Sequence, residues 1–187
     1  MEAFALSPDA VRVPLPQRLL SDDRLLRLVA AGNPQAFGAV YARYHAPLYA
    51  YCRSIVRDPD DAKDALQNTM VKALAALGRG EDRELPLKPW LFRIAHNESV
   101  TLLRRRKPSE PLTDAVSPPV ASVEVQAASR ERLSQLVEDL RELPERQRSA
   151  LIMREVNGLS YEDIAAAMSI SAGAASQTVF EARTALA

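Results

Sequence analysis

The chain has 187 residues, 24 basic and 24 acidic, so it is formally neutral, and its hydrophobic fraction of 47% is enough core for one ordinary domain or two small ones. Neutrality hides an asymmetry: residues 22–107 carry 15 basic and 10 acidic groups, a net of +5, whereas residues 129–187 carry 7 and 9, a net of −2. The first half is thereby suited to a polyanion, and bulk charge is excluded as what would hold the second half on one. Cys52 is the only cysteine, which excludes an internal disulfide and a Cys-based zinc site, and its apolar neighbours at helical spacing make it a buried small hydrophobe. No basic stretch followed by an apolar core opens the sequence and no apolar run is long enough to span a bilayer, so a soluble, cytoplasmic protein without a membrane partner is expected.

In chain order, residues 1–20 hold Pro8, Pro14 and Pro16 without helical periodicity and are expected to be a mobile arm. Ser21 can cap a short helix bearing Leu25, Leu28 and Val29 that stops at Gly32. Asn33 and Pro34 supply a cap and a first-turn proline for a second helix. Its stripe of Phe37, Val40, Tyr41, Tyr44, Leu48, Cys52 and Ile55 should be kinked or split at Pro47. Asp58 and Pro59 repeat the start signal for a third helix with Ala62, Leu66, Met70, Ala73, Leu74 and Leu77 inside and Gly78 at its end. After the polar loop GRGEDRELPLK, Pro89 opens a fourth, PWLFRIAHNESVTLLRRRK. There Trp90, Leu91, Ile94 and Leu102 face inward and Arg93, His96, Asn97 and the 104–107 basic cluster lie on other faces.

Four prolines among Ser, Thr and Ala make residues 108–128 a tether between two domains, 21–107 and 129–187. Beyond it, Leu133, Leu136, Val137 and Leu140 mark one helix, and Pro144 opens another with Leu151, Ile152 and Val156 that Gly158 ends. In LSYEDIAAAMSISAGAASQTVFEARTAL, Ser160 and Asp163 approximate a capping box and Ile164, Ala165 and Met168 face inward. Ser171 can cap a last helix with Ala175, Val179, Ala182 and Leu186 inside. Two helices joined by so tight a turn are either a helix-turn-helix, which presents the start of its second helix to a major groove, or an ordinary helical hairpin. No strand signal and no repeat appears; the fold class is all-α, two small helical domains.

The segment LRELPERQRSALIMREVNGLSYEDIAAAMSIS resembles region four of bacterial sigma factors. DPDDAKDALQNTMVKALAAL followed by PWLFRIAHNESVTLLRRRK resembles their region two. The order is that of the extracytoplasmic-function class of the sigma-70 family. The resemblance implies a core RNA polymerase partner, engaged through the beta-prime clamp helices and the beta flap. Asp61, Asp64 and Gln67 match the clamp positions, and Asn68 shares the face of 60, 61 and 64 on a helix; compensation of the helix dipole by the aspartates is the bland alternative. The 78–88 loop and the following helix correspond to the part that melts and reads the minus-ten element, with Lys88, Arg93, His96 and Asn97 as donors and Arg104 and Arg105 on the backbone. Minus-thirty-five contacts then fall to Ser171, Ala172, Ser176, Gln177 and Thr178. Trp90 is assigned to core packing rather than base stacking. His96 and His45 have no ligand spacing around them, so neither a metal nor any cofactor is expected.

The sequence departs from the family at Lys63, where an acidic residue is common, at Met70 in place of Phe, and at Thr101 in place of Asp. Ser176, Thr178 and Glu181 stand where Lys or Arg is usual. Polar side chains still read bases, a Gln on adenine being worth ~1–3 kcal/mol of discrimination, so weak minus-thirty-five binding that relies on polymerase is expected. An anti-sigma protein is the inhibitor the resemblance implies, and the end of the sequence directly after the last helix leaves room for an extension that some members carry. The competing readings are a polymerase-independent helix-turn-helix regulator and an enzyme. Against the latter, no Gly-rich phosphate loop, Cys/His pair or paired carboxylate site is present beyond the helix-start aspartates.

Overall fold

The computed structural model describes residues 19–79, 84–105 and 135–187, and among them all regular structure is helical. The N-terminal unit comprises α1 (Asp22–Ala30), α2 (Pro34–Val56), α3 (Pro59–Gly78) and α4 (Leu87–Arg105). The C-terminal unit comprises α5 (residues 135–142), α6 (Glu145–Glu155), α7 (Tyr161–Met168) and α8 (Ala172–Ala185). The arm before residue 19, the tether 108–128, Leu133, Arg106 and Lys107 lie outside the described residues.

Helix starts follow side-chain chemistry. Asn33 accepts from the amide of Gln35, with Pro34 next to it in the first turn, and Asp58 accepts from the amides of Asp60 and Asp61, with Pro59 likewise. Ser160 and Asp163 form a full capping box, and Ser171 accepts from the amide of Ala174. Gly32 and Gly158, at φ +80° and +64°, make the turns that end α1 and follow α6, a backbone region that costs other residues more.

Four local expectations change. Pro47 does not split α2, which runs unbroken through it; the lost hydrogen bond is tolerated because Tyr44, Leu48 and Tyr51 around it are buried and hold both halves in place. Ser21 occupies the cap position of α1 without a side-chain bond. Its neighbour Asp22 does the polar work, receiving Arg43 and the Tyr44 hydroxyl. Helix α4 starts at Leu87, so Lys88 lies in its first turn. Val156 leaves the apolar stripe and is 72% exposed in the turn after α6.

In the N-terminal unit α2, α3 and α4 pack on one another and α1 closes against α2. Phe92, unassigned by the sequence, is fully buried with its ring edge-on to Tyr51 at 5.4 Å, while Trp90 is half-buried against the core. Cys52 is inside as expected, and burial pushes its thiol up to about 11, away from reactivity. In the C-terminal unit α8 packs on α6 and α7 through Ala175, Val179 and Ala182. The two units also pack together, α7 across α4 and α6 against α2, and their buried cores are continuous.

Candidate nucleic-acid and partner interfaces

The outer face of α3 is the first candidate surface. Asp64, Gln67 and Asn68 are exposed and Asp61 is half-buried. Below them, at the same three- and four-residue steps, come Val71 at 55% and Leu74 at 44% exposure. The sequence reading had placed Leu74 in the core and passed over Val71. Continuing the 64, 67, 68 spacing by one turn would have found both. The face is therefore a polar upper half on an apolar lower half, a composition that suits a partner helix rather than solvent. Lys63, the departure from the family's charge pattern, forms an ion pair with Asp60 at 2.9 Å. It is thereby drawn back toward the helix start, and Asp64 and Gln67 remain exposed beside it.

The second candidate surface is a stripe on α4. Arg93, Asn97, Thr101, Arg104 and Arg105 are exposed and recur at helical steps. Thr101 removes a negative charge from that stripe. Glu98, on its flank, is largely covered and paired with Lys72 of α3. Lys88 and His96 point elsewhere. Lys88 donates to the backbone carbonyl of Asn157 in the C-terminal unit. His96 is buried, 2.9 Å from the Tyr51 hydroxyl through Nδ1 and 4.0 Å from the Glu145 carboxylate. Desolvation lowers its pKa first, the Glu145 charge opposing and Arg104 assisting.

The third is the start of α8. Ser171, Ser176 and Gln177 are exposed and Ala172 is half-buried. Thr178 turns inward: it is buried and its hydroxyl donates to the carbonyl of Ala174 at 2.7 Å. Glu181 is engaged by two amides, Gln177 at 3.0 Å and Gln147 at 3.4 Å. Arg183 is held by Glu155, whose hydrogen bond raises its pKa. What remains to attract phosphate is the helix itself, whose N-terminal end carries about half a positive charge. Phe180, 63% exposed one turn beyond Ser176 and Gln177, adds an exposed apolar side chain that the sequence reading missed.

None of the described helices is long and apolar enough to cross a membrane.

Comparison with known proteins covers both units. Residues 40–108 match the family model of sigma-70 region 2 and residues 133–186 that of sigma-70 region 4. The RNA polymerase sigma-H factor of Pseudomonas aeruginosa is 32% identical, across 88% of this chain and 91% of its own. The ECF RNA polymerase sigma factor SigM of Mycobacterium tuberculosis is 34% identical, across 89% and 83%. Among solved structures, CnrH in complex with the cytosolic domain of CnrY superposes with a TM-score of 0.67 at 28% identity, covering 88% of this chain and 94% of that one. RpoE of Bartonella quintana, solved with the anti-sigma factor NepR, gives 0.65 at 28% identity, covering 80% and 93%. Similarity that runs through both units, in this order, favours a polymerase subunit over an autonomous helix-turn-helix regulator, and the chain belongs to the extracytoplasmic-function sigma factors of the sigma-70 family.

Proposed function

We propose that each of the three surfaces carries one step of initiation. The α3 face, with Asp61, Asp64, Gln67 and Asn68 above Val71 and Leu74, docks on the clamp helices of core polymerase, and the C-terminal unit reaches the beta flap. The α4 stripe, with Arg93, Asn97, Arg104 and Arg105, holds the melted minus-ten strand; Lys88 and His96, expected there from the sequence, are turned onto the Asn157 carbonyl and into the interior. The start of α8, with Ser171, Ala172, Ser176 and Gln177, reads the minus-thirty-five duplex; Thr178 supports that helix from inside. The chain itself performs no catalytic step, works beside polymerase in the cytoplasm, and has an anti-sigma partner like the structural neighbour solved with one.

The observation that carries this reading is the exposed α3 face, since amides and apolar side chains at Gln67, Asn68, Val71 and Leu74 have no role in compensating a helix dipole. Run-off transcription with purified bacterial core polymerase on a promoter library tests it. Promoter-dependent transcripts with this chain, and loss of both transcripts and core association in Asp64→Ala/Gln67→Ala, are the expected result. Full core association by that variant would remove the docking surface from the reading.

A further inference from the structure

Helix α8 carries a small amide network. Glu181 receives the side-chain amide of Gln177, one turn earlier on the same helix, at 3.0 Å, and that of Gln147 from α6 at 3.4 Å, one on each carboxylate oxygen. Gln177 and Glu181 are exposed and Gln147 is half-buried. The first turn in front of them is small, Ala172, Gly173 and Ala174. A Cβ on Gly173 would meet nothing within 4 Å, so no packing demand of the fold accounts for a residue that weakens the helix. A low first turn lets a duplex approach closely enough for a side chain as short as Gln177 to reach a base edge.

The chemistry of the network is one-sided. A carboxylate only accepts, whereas a glutamine amide has a donating end and an accepting end. Gln177 therefore turns its NH2 group to Glu181, which leaves its side-chain oxygen and second N–H for whatever the helix meets. Turning the amide over would set that oxygen against the carboxylate. Two acceptors would then face each other in a groove from which the bound duplex excludes water, where an unmatched polar group costs most. Gln147 holds Glu181 from the other side, so the carboxylate gives up a second bond if it swings away.

An acceptor and a donor side by side match adenine, whose N6 donates and whose N7 accepts in the major groove. Cytosine N4 satisfies the oxygen alone. Guanine offers two acceptors and thymine one acceptor and a methyl group, so neither has a donor for the Gln177 oxygen.

We infer that Glu181 is a positioning residue for promoter reading. Anchored by Gln147, it fixes the Gln177 amide with its oxygen outward, so that the chain selects adenine first and cytosine second at one base pair of the minus-thirty-five region and rejects guanine and thymine. This gives a task to a carboxylate that stands where Lys or Arg is usual. The inference rests on the assignment of the start of α8 to that duplex.

Selection from a promoter library randomised through the minus-thirty-five region tests it, using holoenzyme assembled from the full chain and bacterial core polymerase. Gln177→Ala and Glu181→Ala are combined in a double-mutant cycle. Wild type should prefer adenine over guanine or thymine at one pair by about tenfold. Glu181→Ala should reduce that preference to about threefold, the loss of one hydrogen-bond constraint. It should change nothing further at that pair once Gln177 is alanine. Removing the Glu181 charge also raises affinity for every sequence alike, which leaves the profile as it was. Glu181→Gln keeps the shape but can turn either a donor or an acceptor to Gln177, and should relax the preference partway. Gln147→Ala should give a smaller loss in the same direction, whereas a merely weakened helix would lower binding to all bases equally. A wild-type profile in Glu181→Ala overturns the positioning role, and so does guanine or thymine as the preferred base at the pair that Gln177→Ala relaxes. An undiminished Glu181 effect in the Gln177→Ala chain overturns it too, because Glu181 would then read the base itself. The assignment of α8 is read separately: a Gln177→Ala profile unchanged at every pair removes that helix face from the minus-thirty-five duplex.

Discussion

The two helices proposed to face DNA use opposite means. Helix α4 ends in exposed arginines on a stripe from which the family's usual acidic side chain is missing at Thr101. Helix α8 has its one arginine tied to Glu155 and its one glutamate tied to two glutamines. The first is equipped for affinity, since phosphate neutralisation is strong and indifferent to sequence. The second is equipped for discrimination, with hydrogen-bonding side chains on a helix start whose own dipole supplies the attraction. One chain thus divides tasks that a more basic recognition helix would combine.

The largest effect that can break this comparison comes from removing charge on each side. Arg104→Ala/Arg105→Ala should weaken promoter binding by holoenzyme by about 3 kcal/mol or more, two charge-assisted contacts at the low end of their usual strength. The salt dependence should flatten by ~1.4, two single-strand phosphates at ~0.7 each. Arg183→Ala should leave that slope unchanged, because its guanidinium is already committed to Glu155. Fluorescence anisotropy across a salt series measures both, and equal slopes in the two variants would end the division of labour.

A finer test uses neighbours on α8. Gln177→Ala should relax preference at one base pair of the minus-thirty-five region by ~1–3 kcal/mol. Thr178→Ala should leave the preference pattern intact, since that hydroxyl is buried against Ala174. Selection from a randomised promoter library, scored position by position, separates the two; a changed preference in the Thr178 variant would place its side chain at the DNA.

What the sequence revealed and what it concealed divides along the range of the interactions. Caps act over two or three residues, so Asn33, Asp58, Ser160 and Ser171 were legible, as was the order of helices. Periodicity finds a buried face but not its owner. His96 was expected on an outer face of α4 and is buried because α6, 49 residues further on at Glu145, covers it. Phe92 was passed over for the same reason: α4 is buried on one side by its own unit and on another by α7, so no single stripe describes it. Val156 continued the apolar spacing of α6 in sequence, yet the helix had already ended. The proposed docking face of α3 was half legible. Its exposed carboxylates and amides stand out in the sequence, while the exposure of Val71 and Leu74 was concealed because an exposed apolar residue follows the same step as a buried one.

Cap chemistry gives a smaller effect that compares the units directly. Ser160→Ala breaks a reciprocal capping box and should cost about 1 kcal/mol. Ser21→Ala, at a cap position whose hydroxyl makes no cap bond, should cost only a few tenths. Urea denaturation followed by circular dichroism measures both. A larger loss at Ser21 would mean that the start of α1 is held by the serine rather than by Asp22 with Arg43 and Tyr44.

The smallest effect concerns the imidazole buried where the two units meet. Burial lowers the His96 pKa in the folded chain, against the pull of Glu145 from α6 and with the push of Arg104 from its own helix; Tyr51 of α2, whose own pKa burial raises, stays neutral. Unfolding returns the imidazole to water and to its ordinary value near 6.5. Stability is therefore fully present above that value, where the ring is neutral in both states. It weakens as pH falls below it, because the unfolded chain takes up the proton more readily. The urea midpoint should fall modestly between pH 7.5 and 5.5, and His96→Gln should flatten that dependence. A fall of equal size in the His96→Gln chain would take the pH response away from this imidazole.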